Sequence, residues 1–397
     1  MAAPAPSTPL GSFADSAVAW ATWVTLMGFV GLVALSVLVA GPAARRIGGD
    51  ALAAVTVRLS RAAVVFGVLA VPAVLTDLAG GASETGGYDF GAAWGSPYGG
   101  GVDGLLSGLE VTLVLVGAVL VCPLTVRRIA GGRARRWLAA GGLVAGAIAL
   151  CTTKFPDKAP DDWGSTVFQT LMWVLHLLGG AVWIGGLIGL ALLCLPGAVE
   201  AADRGAFWAS TIRRFSASAM SCVGAITLSG LYLYWQHVDG PSQLLTTMYG
   251  RVLGVKILLF GTMLLLGVFN QHWLHPRINA LRDAGDDRPL PALLLRHFPA
   301  AVGLETLLGL SVLFVAPFLH GSARNQAYQA GLATNAATAA AVKHLPKLAP
   351  KSAHASTWVW GTTETILVIA AMIIAYRISE GLIRRRASAG AGAGAEA

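Results

Sequence analysis

The sequence predicts an all-α, polytopic transmembrane bundle of about nine helices, arranged four plus four plus one, with the N-terminus outside and the C-terminus inside. Three observations predict it. First, 55% of the 397 residues are hydrophobic and only 12% are charged, with a mean hydropathy of +0.66. A soluble domain carries about 25% charged residues, so this chain has too few to cover a water-facing surface. Second, nine apolar runs lie near 17–40, 60–79, 104–126, 137–153, 166–195, 215–236, 249–271, 298–319 and 357–378. Each approaches the roughly 20 residues needed to cross ~30 Å of hydrocarbon. Third, arginines cluster in alternate loops, at Arg45 and Arg46, Arg127 to Arg136, Arg204 to Arg214, Arg277 to Arg296, and Arg384 to Arg386. The segment 80–103 has no lysine or arginine. That alternation is the positive-inside pattern, and it sets the predicted orientation.

The net charge of +8 is therefore topological, and nucleic acid is excluded as a partner; the partner is the lipid bilayer. The N-terminal MAAPAPSTPLGSFADS lacks a basic region, so no cleavable signal is expected. Residues 1–160 form a first four-helix membrane region, and 161–320 a second. Residues 321–356 are expected as an extracytoplasmic loop, 357–386 as the ninth helix and 387–397 as a disordered tail. VGLVALSVLVAGP at 30–42 echoes IGGLIGLALLCLP at 184–196, and both precede an Arg-x-Ser entry to the next helix, at Arg58 and Arg214. The echo points to a parallel four-plus-four duplication, one of the repeat types that transporters use.

Ionisable and polar groups inside a membrane are costly, so each is a functional candidate. His176 lies about eleven residues, or ~16 Å, into the fifth helix, near the bilayer centre. Met172 precedes it by four residues on the same face. Imidazole with thioether is a donor set that suits copper. The bland alternative is a histidine held by a hydrogen bond to a neighbouring helix. Lys256 and Glu305 are read as an intramembrane charge pair, structural or relaying protons. His237 and His320 fall on the outer side. His272 and His275, three residues apart on one helix face, fall inside with Met220 and Cys222 on nearby helices. These two groups form candidate collecting and releasing sets for a metal. The four cysteines have no zinc or CxxC spacing. Walker, HExxH and Ser/His/Asp motifs are absent, and the loops are too short for a soluble catalytic domain, so the chain is not read as an enzyme.

Four stretches in order, HLLGGAVWIGGLIGL, RRFSASAMSCVGAITLSGLYLYW, MYGRVLGVKILLFGTMLLLGVFNQHWL and RHFPAAVGLETLLGLSVLFVAPFL, resemble the copper resistance D (CopD) family. The resemblance covers about 165–320; the first four helices match only in number and layout. It marks His176, Trp183, Gly185, Gly186, Tyr249, Arg251, Lys256, Asn270 and Glu305. Ser229 stands where the family often has threonine. The resemblance implies copper import at the cytoplasmic membrane and a separate periplasmic copper-binding partner of the CopC type. Two other readings are carried forward: a membrane b-type haem or electron-transfer protein, with His176 as a ligand, and a factor delivering copper to an oxidase.

Overall fold

The computed structural model describes residues 13–83, 87–200, 203–283, 291–319, 321–333, 348 and 351, with scattered positions in 357–370; over 269–299 it describes backbone only. Eight helices among these residues are long and apolar enough to span a membrane. They are α1 (Phe13–Arg45), α2 (Gly49–Ala82), α3 (Gly101–Thr125), α4 (Arg135–Lys154), α5 (Trp163–Cys194), α6 (Arg204–His237), α7 (Met248–Asp283) and α8 (Pro291–Val315). A ninth helix, α9 (Ala323–Ala333), is too short to span. The ninth apolar run and the tail lie largely outside the described residues.

Local chemistry sets the helix limits. In α1 the turns at Leu35–Ala40 widen to π geometry, and the Gly41 N–H reaches back to the Ser36 carbonyl. Pro42 follows at once and brings no N–H to the ladder. The α5 helix starts where the Asp162 carboxylate accepts from the Gly164 and Ser165 N–H groups, at 2.9 and 3.2 Å; this satisfies two orphan donors of its first turn. Its other end is closed by Arg58 of α2, whose guanidinium donates to the Leu195 and Pro196 carbonyls, each at 2.6 Å. A cation there also complements the negative end of the helix dipole.

α1 and α5 run side by side through the middle of the bundle, and most of the buried core lies on or against them. They run parallel and cross at Gly31 and Gly185. A Cβ built on Gly31 would overlap the Ala181 carbonyl oxygen and stand 2.5 Å from Gly185 Cα; one on Gly185 would stand 2.6 Å from Gly31 Cα. Only glycine permits so close a backbone approach. α2, α3 and α4 gather around α1, while α6 and α8 pack on α5 and α7 packs on α8. In the first group the fully buried Phe29 ring is seated on three glycines. A Cβ on Gly67, Gly117 or Gly146 would come within 3.1, 3.0 or 2.5 Å of it. In the second group Trp183 of α5 packs with Cys222 of α6, Met263 of α7 and Leu308 of α8.

Candidate functional site

The Trp183 cluster is the floor beneath a layer of polar side chains, the chamber layer. Two helical turns, ~10 Å, separate it from the next layer on each of three helices. That layer holds His176, seven residues before Trp183 on α5. It holds Ser229, seven after Cys222 on the antiparallel α6. It also holds Lys256, seven before Met263 on α7. Residues seven apart share a helix stripe, so all three face the same interior as the floor. His176 Nδ1 lies 3.0 Å from Ser229 Oγ, and Lys256 is the charged neighbour of the ring. A Cβ on Gly230 would stand 3.8 Å from His176 Cε1, so a small residue leaves the imidazole its place. Trp173 meets the ring edge-on at 6.4 Å.

The hydrogen bonds assign the tautomer. Ser229, fully buried, has one hydroxyl proton, and its Oγ lies 2.6 Å from the Ala225 carbonyl, which can only accept. With that proton committed, Ser229 Oγ accepts from His176 Nδ1–H. The Nε2 atom then keeps its lone pair. A ligating histidine is commonly oriented in this way, with one ring nitrogen donating to a fixed acceptor and the other left for the metal.

The remaining sequence candidates are distributed above, below and around this chamber. His237 is eight residues beyond Ser229 on α6, ~12 Å further along the axis, at the end that the arginine pattern assigns to the outer face. Its Nδ1–H donates to the Leu233 carbonyl at 2.8 Å, and its ring stacks on Tyr249 at 5.9 Å. Tyr249 is buried, and its N–H donates to Gln326 of α9 at 2.9 Å. Arg251 Nε donates to the Leu245 carbonyl. Met172 and Met220 are half-buried on α5 and α6, while Cys222 is 7% exposed within the floor. Gly186 gives room to the Phe215 ring, which a Cβ would meet at 2.6 Å. Lys256 and Glu305 are set apart: they lie on opposite sides of the layer where Met263 meets Gly309, about eleven residues or ~16 Å along antiparallel helices. The side chains of Asn270, His272 and His275, and His320 as a whole, lie outside the described residues.

Among the described residues no three His, Cys, Asp or Glu side chains converge on one point. Nor do they offer a pair of facing imidazoles for a bis-histidine haem, because His237 stands a layer away from His176 with its Nδ1 engaged. Met263 is a donor that sequence reading passed over. The seven-residue spacing from Lys256 was the signal that could have found it.

A second feature missed in the sequence lies at the His237 end of α6. Asp239, just beyond α6, takes Arg324 of α9 at 2.8 Å and Lys351 at 2.9 Å. Lys351 also donates to the Trp235 carbonyl at 2.8 Å and lies over the Trp235 ring. The segment beyond α8 is thereby strapped to the ends of α6 and α7. Partial burial alone would raise the Asp239 carboxyl, but Lys351 and Arg324 outweigh it and hold the group below its ordinary value. The strap therefore holds fully at neutral pH and weakens as acid protonates Asp239. Exposed bridges are worth up to about 1 kcal/mol each. Asp239→Asn is thus expected to speed tryptic cleavage after Arg324 and Lys351 several-fold at neutral pH; unchanged cleavage would show that the bridges do not tie the segment down.

An all-α bundle with eight candidate spans among the described residues defines a multi-pass membrane protein. Residues 209–319 match the family described as Copper resistance protein D, so this part of the membrane bundle is similar to that family. The copper transport protein CutJ of Bacillus subtilis (strain 168) is 38% identical over 122 residues, 31% of this chain and 21% of that protein. Copper resistance protein D of Pseudomonas syringae pv. tomato is 30% identical over 144 residues, 36% of this chain and 46% of that protein. The matches thus span less than half the length of either relative. No solved structure matches.

Proposed function

We propose that this protein carries copper ions inward across the cytoplasmic membrane, through the chamber between α5, α6, α7 and α8. The observation that carries the proposal is the chain from His176 Nδ1–H to Ser229 and on to the Ala225 carbonyl, which leaves a lone pair on Nε2 in mid-membrane. The names of the similar proteins, one a copper transport protein and one a copper resistance protein, support copper as the cargo. Donors of suitable softness recur at intervals of about two helical turns. His237 lies at the mouth, His176 with Met172 in the chamber, and Cys222 with Met263 at the floor. Imidazole, thioether and thiolate are ligands that accept copper. A path needs sites that bind well enough to enter and loosely enough to leave, and one or two donors per layer meet that need better than a closed cage. The ammonium of Lys256 beside His176 opposes a lingering cation and favours its onward passage.

On this reading the N-terminus is outside, and His272 and His275 mark the cytoplasmic exit. A separate copper-binding protein of the CopC type would load the outer mouth. Delivery of copper to an oxidase, rather than bulk import, is the same movement with a different recipient. The test is copper accumulation in a deletion strain carrying the gene or an empty vector. Cells with the gene are expected to accumulate several-fold more copper from a limiting medium, and equal accumulation would reject import.

A further inference from the structure

The two four-helix halves are related by an approximate twofold axis running between α1 and α5. At the crossing the contacts are reciprocal. A Cβ on Gly31 would meet the carbonyl of Ala181, four residues before Gly185. A Cβ on Gly185 would meet the carbonyl of Met27, four residues before Gly31, at 2.8 Å. Reciprocity of that kind is the signature of a dyad. The correspondence continues outward. Phe29 of α1 touches Gly67 of α2, Gly117 of α3 and Gly146 of α4. Its counterpart Trp183 of α5 packs with Cys222 of α6 and Met263 of α7. Gly146 meets Val30, and Gly309 of α8 meets Ile184, the residues beside those two aromatic rings. The helices α2 and α6 each have 34 residues.

The correspondence gives the first half a buried polar layer of its own. In the second half, the layer one heptad outward of the floor holds His176 and Lys256. The same step in the first half, from Phe29 and Gly117, arrives at Thr22 of α1 and Glu110 of α3. Both stand on the stripe that faces the Phe29 floor. Glu110 is only 5% exposed, and it makes no hydrogen bond or salt bridge within the described residues. Thr22 is 6% exposed, and its hydroxyl has no partner among the described residues. The charged neighbours of Glu110 are Asp77 from α2 and Lys154 from the end of α4. Behind Asp77 stands Asp15 of α1, which accepts from the Tyr88 hydroxyl at 3.2 Å. Lys154 does not pair with the carboxylate; its ammonium lies over the Trp23 and Trp173 rings, at 5.8 and 4.7 Å.

We propose that the first half holds a second intramembrane site, built on Glu110, that takes up a proton. A bare carboxylate at this depth is costly without donors to it, and Asp77 adds a second negative charge. Protonation removes the charge and with it the cost of burying it. Lys154 stands where a small shift off its aromatic rings would favour the ionised form. Where the second half presents nitrogen to a soft metal ion, the first half thus presents oxygen to a proton. The two sites share a layer on either side of the α1–α5 axis.

The test is labelling of the full chain in proteoliposomes with a lipophilic carbodiimide, which reacts with protonated carboxyl groups, followed by peptide mapping. Glu110 is expected to be the principal site among intramembrane carboxyls. Its labelling should fall about tenfold or more as the pH is raised from about 5 to about 9, as the carboxyl loses its proton. Glu110→Gln should lose that label, and Asp77→Asn should shift its pH dependence to lower pH. No label on Glu110 while other carboxyls react, or a label independent of pH, overturns the proposal. So does protection by sodium or potassium ions at constant pH without any pH dependence, since the site would then belong to a metal cation. None of these readouts requires copper.

Discussion

A Gly31→Leu variant is expected to lose the folded protein. The Cβ alone would overlap the Ala181 carbonyl oxygen and press on Gly185 Cα. Both are backbone, so no side-chain rotamer can relieve the clash. Overpacking a core whose side chains can give costs about 1–3 kcal/mol. Here α1 and α5 must separate along the seam that joins the two halves, so the cost exceeds that range. Gly185→Leu should fail in the same way, because the contacts are reciprocal. Gly180→Ala on the same helix is the control. Its new Cβ would meet only the tip of the Met27 side chain, at 3.7 Å, which is ordinary contact. The measurement is monodisperse yield and Tm in detergent. Gly31→Leu protein that melts with the wild type would show that the halves do not meet there, whereas Gly180→Ala should stay within about 0.5 kcal/mol.

Much of the bundle was legible because a bilayer imposes simple rules. Length and hydropathy located all eight candidate spans, since only a helix satisfies its own backbone in lipid. The ends were less legible. α1 begins at Phe13 and α2 continues to Ala82, because polar interfacial turns carry on the helix after the apolar run has stopped. Which helices would be central was not readable from hydropathy. Lipid and protein interior are equally apolar, so the buried α1 and the lipid-facing α7 look alike in composition. Glycine was the better signal. The echo between 30–42 and 184–196 placed Gly31 against Gly185 in sequence, and those are the glycines that meet in space.

For the chamber, the sequence could say that His176 was expensive where it stood, but not what it touched. Ser229 was noticed only through family resemblance. Its hydrogen bond depends on the register between α5 and α6, which no local pattern encodes. Lys256 was assigned to Glu305 because both are intramembrane charges. Antiparallel register sets them ~16 Å apart and turns Lys256 toward His176 instead. The strap of Asp239, Arg324 and Lys351 joins residues more than a hundred positions apart across loops; no periodicity marks such pairs.

The sharpest test of the proposed path is to separate the free ring nitrogen of His176 from the group that orients it. His176→Ala removes the lone pair in mid-membrane and leaves about two turns of helix with no strong donor on α5. Copper accumulation is expected to fall to the empty-vector level, with Tm and membrane abundance near wild type, because the ring is only half-buried and Gly230 already leaves space beside it. Ser229→Ala keeps the imidazole but frees its Nδ1–H from a fixed acceptor, so either ring nitrogen can carry the proton. Loss of such an orienting partner typically costs 10–100-fold in metal affinity or activity, so uptake should fall by about an order of magnitude rather than vanish. Ser229→Thr keeps the hydroxyl and should restore most of it. A purely structural histidine predicts another order of effects. His176→Ala would then lower Tm, and Ser229→Ala and Ser229→Thr would transport copper alike. The ratio of uptake in Ser229→Thr to that in Ser229→Ala therefore reads out the tautomer itself. A ratio near one would remove Nε2 of His176 from the path of the ion, even if transport by the wild-type protein were beyond dispute.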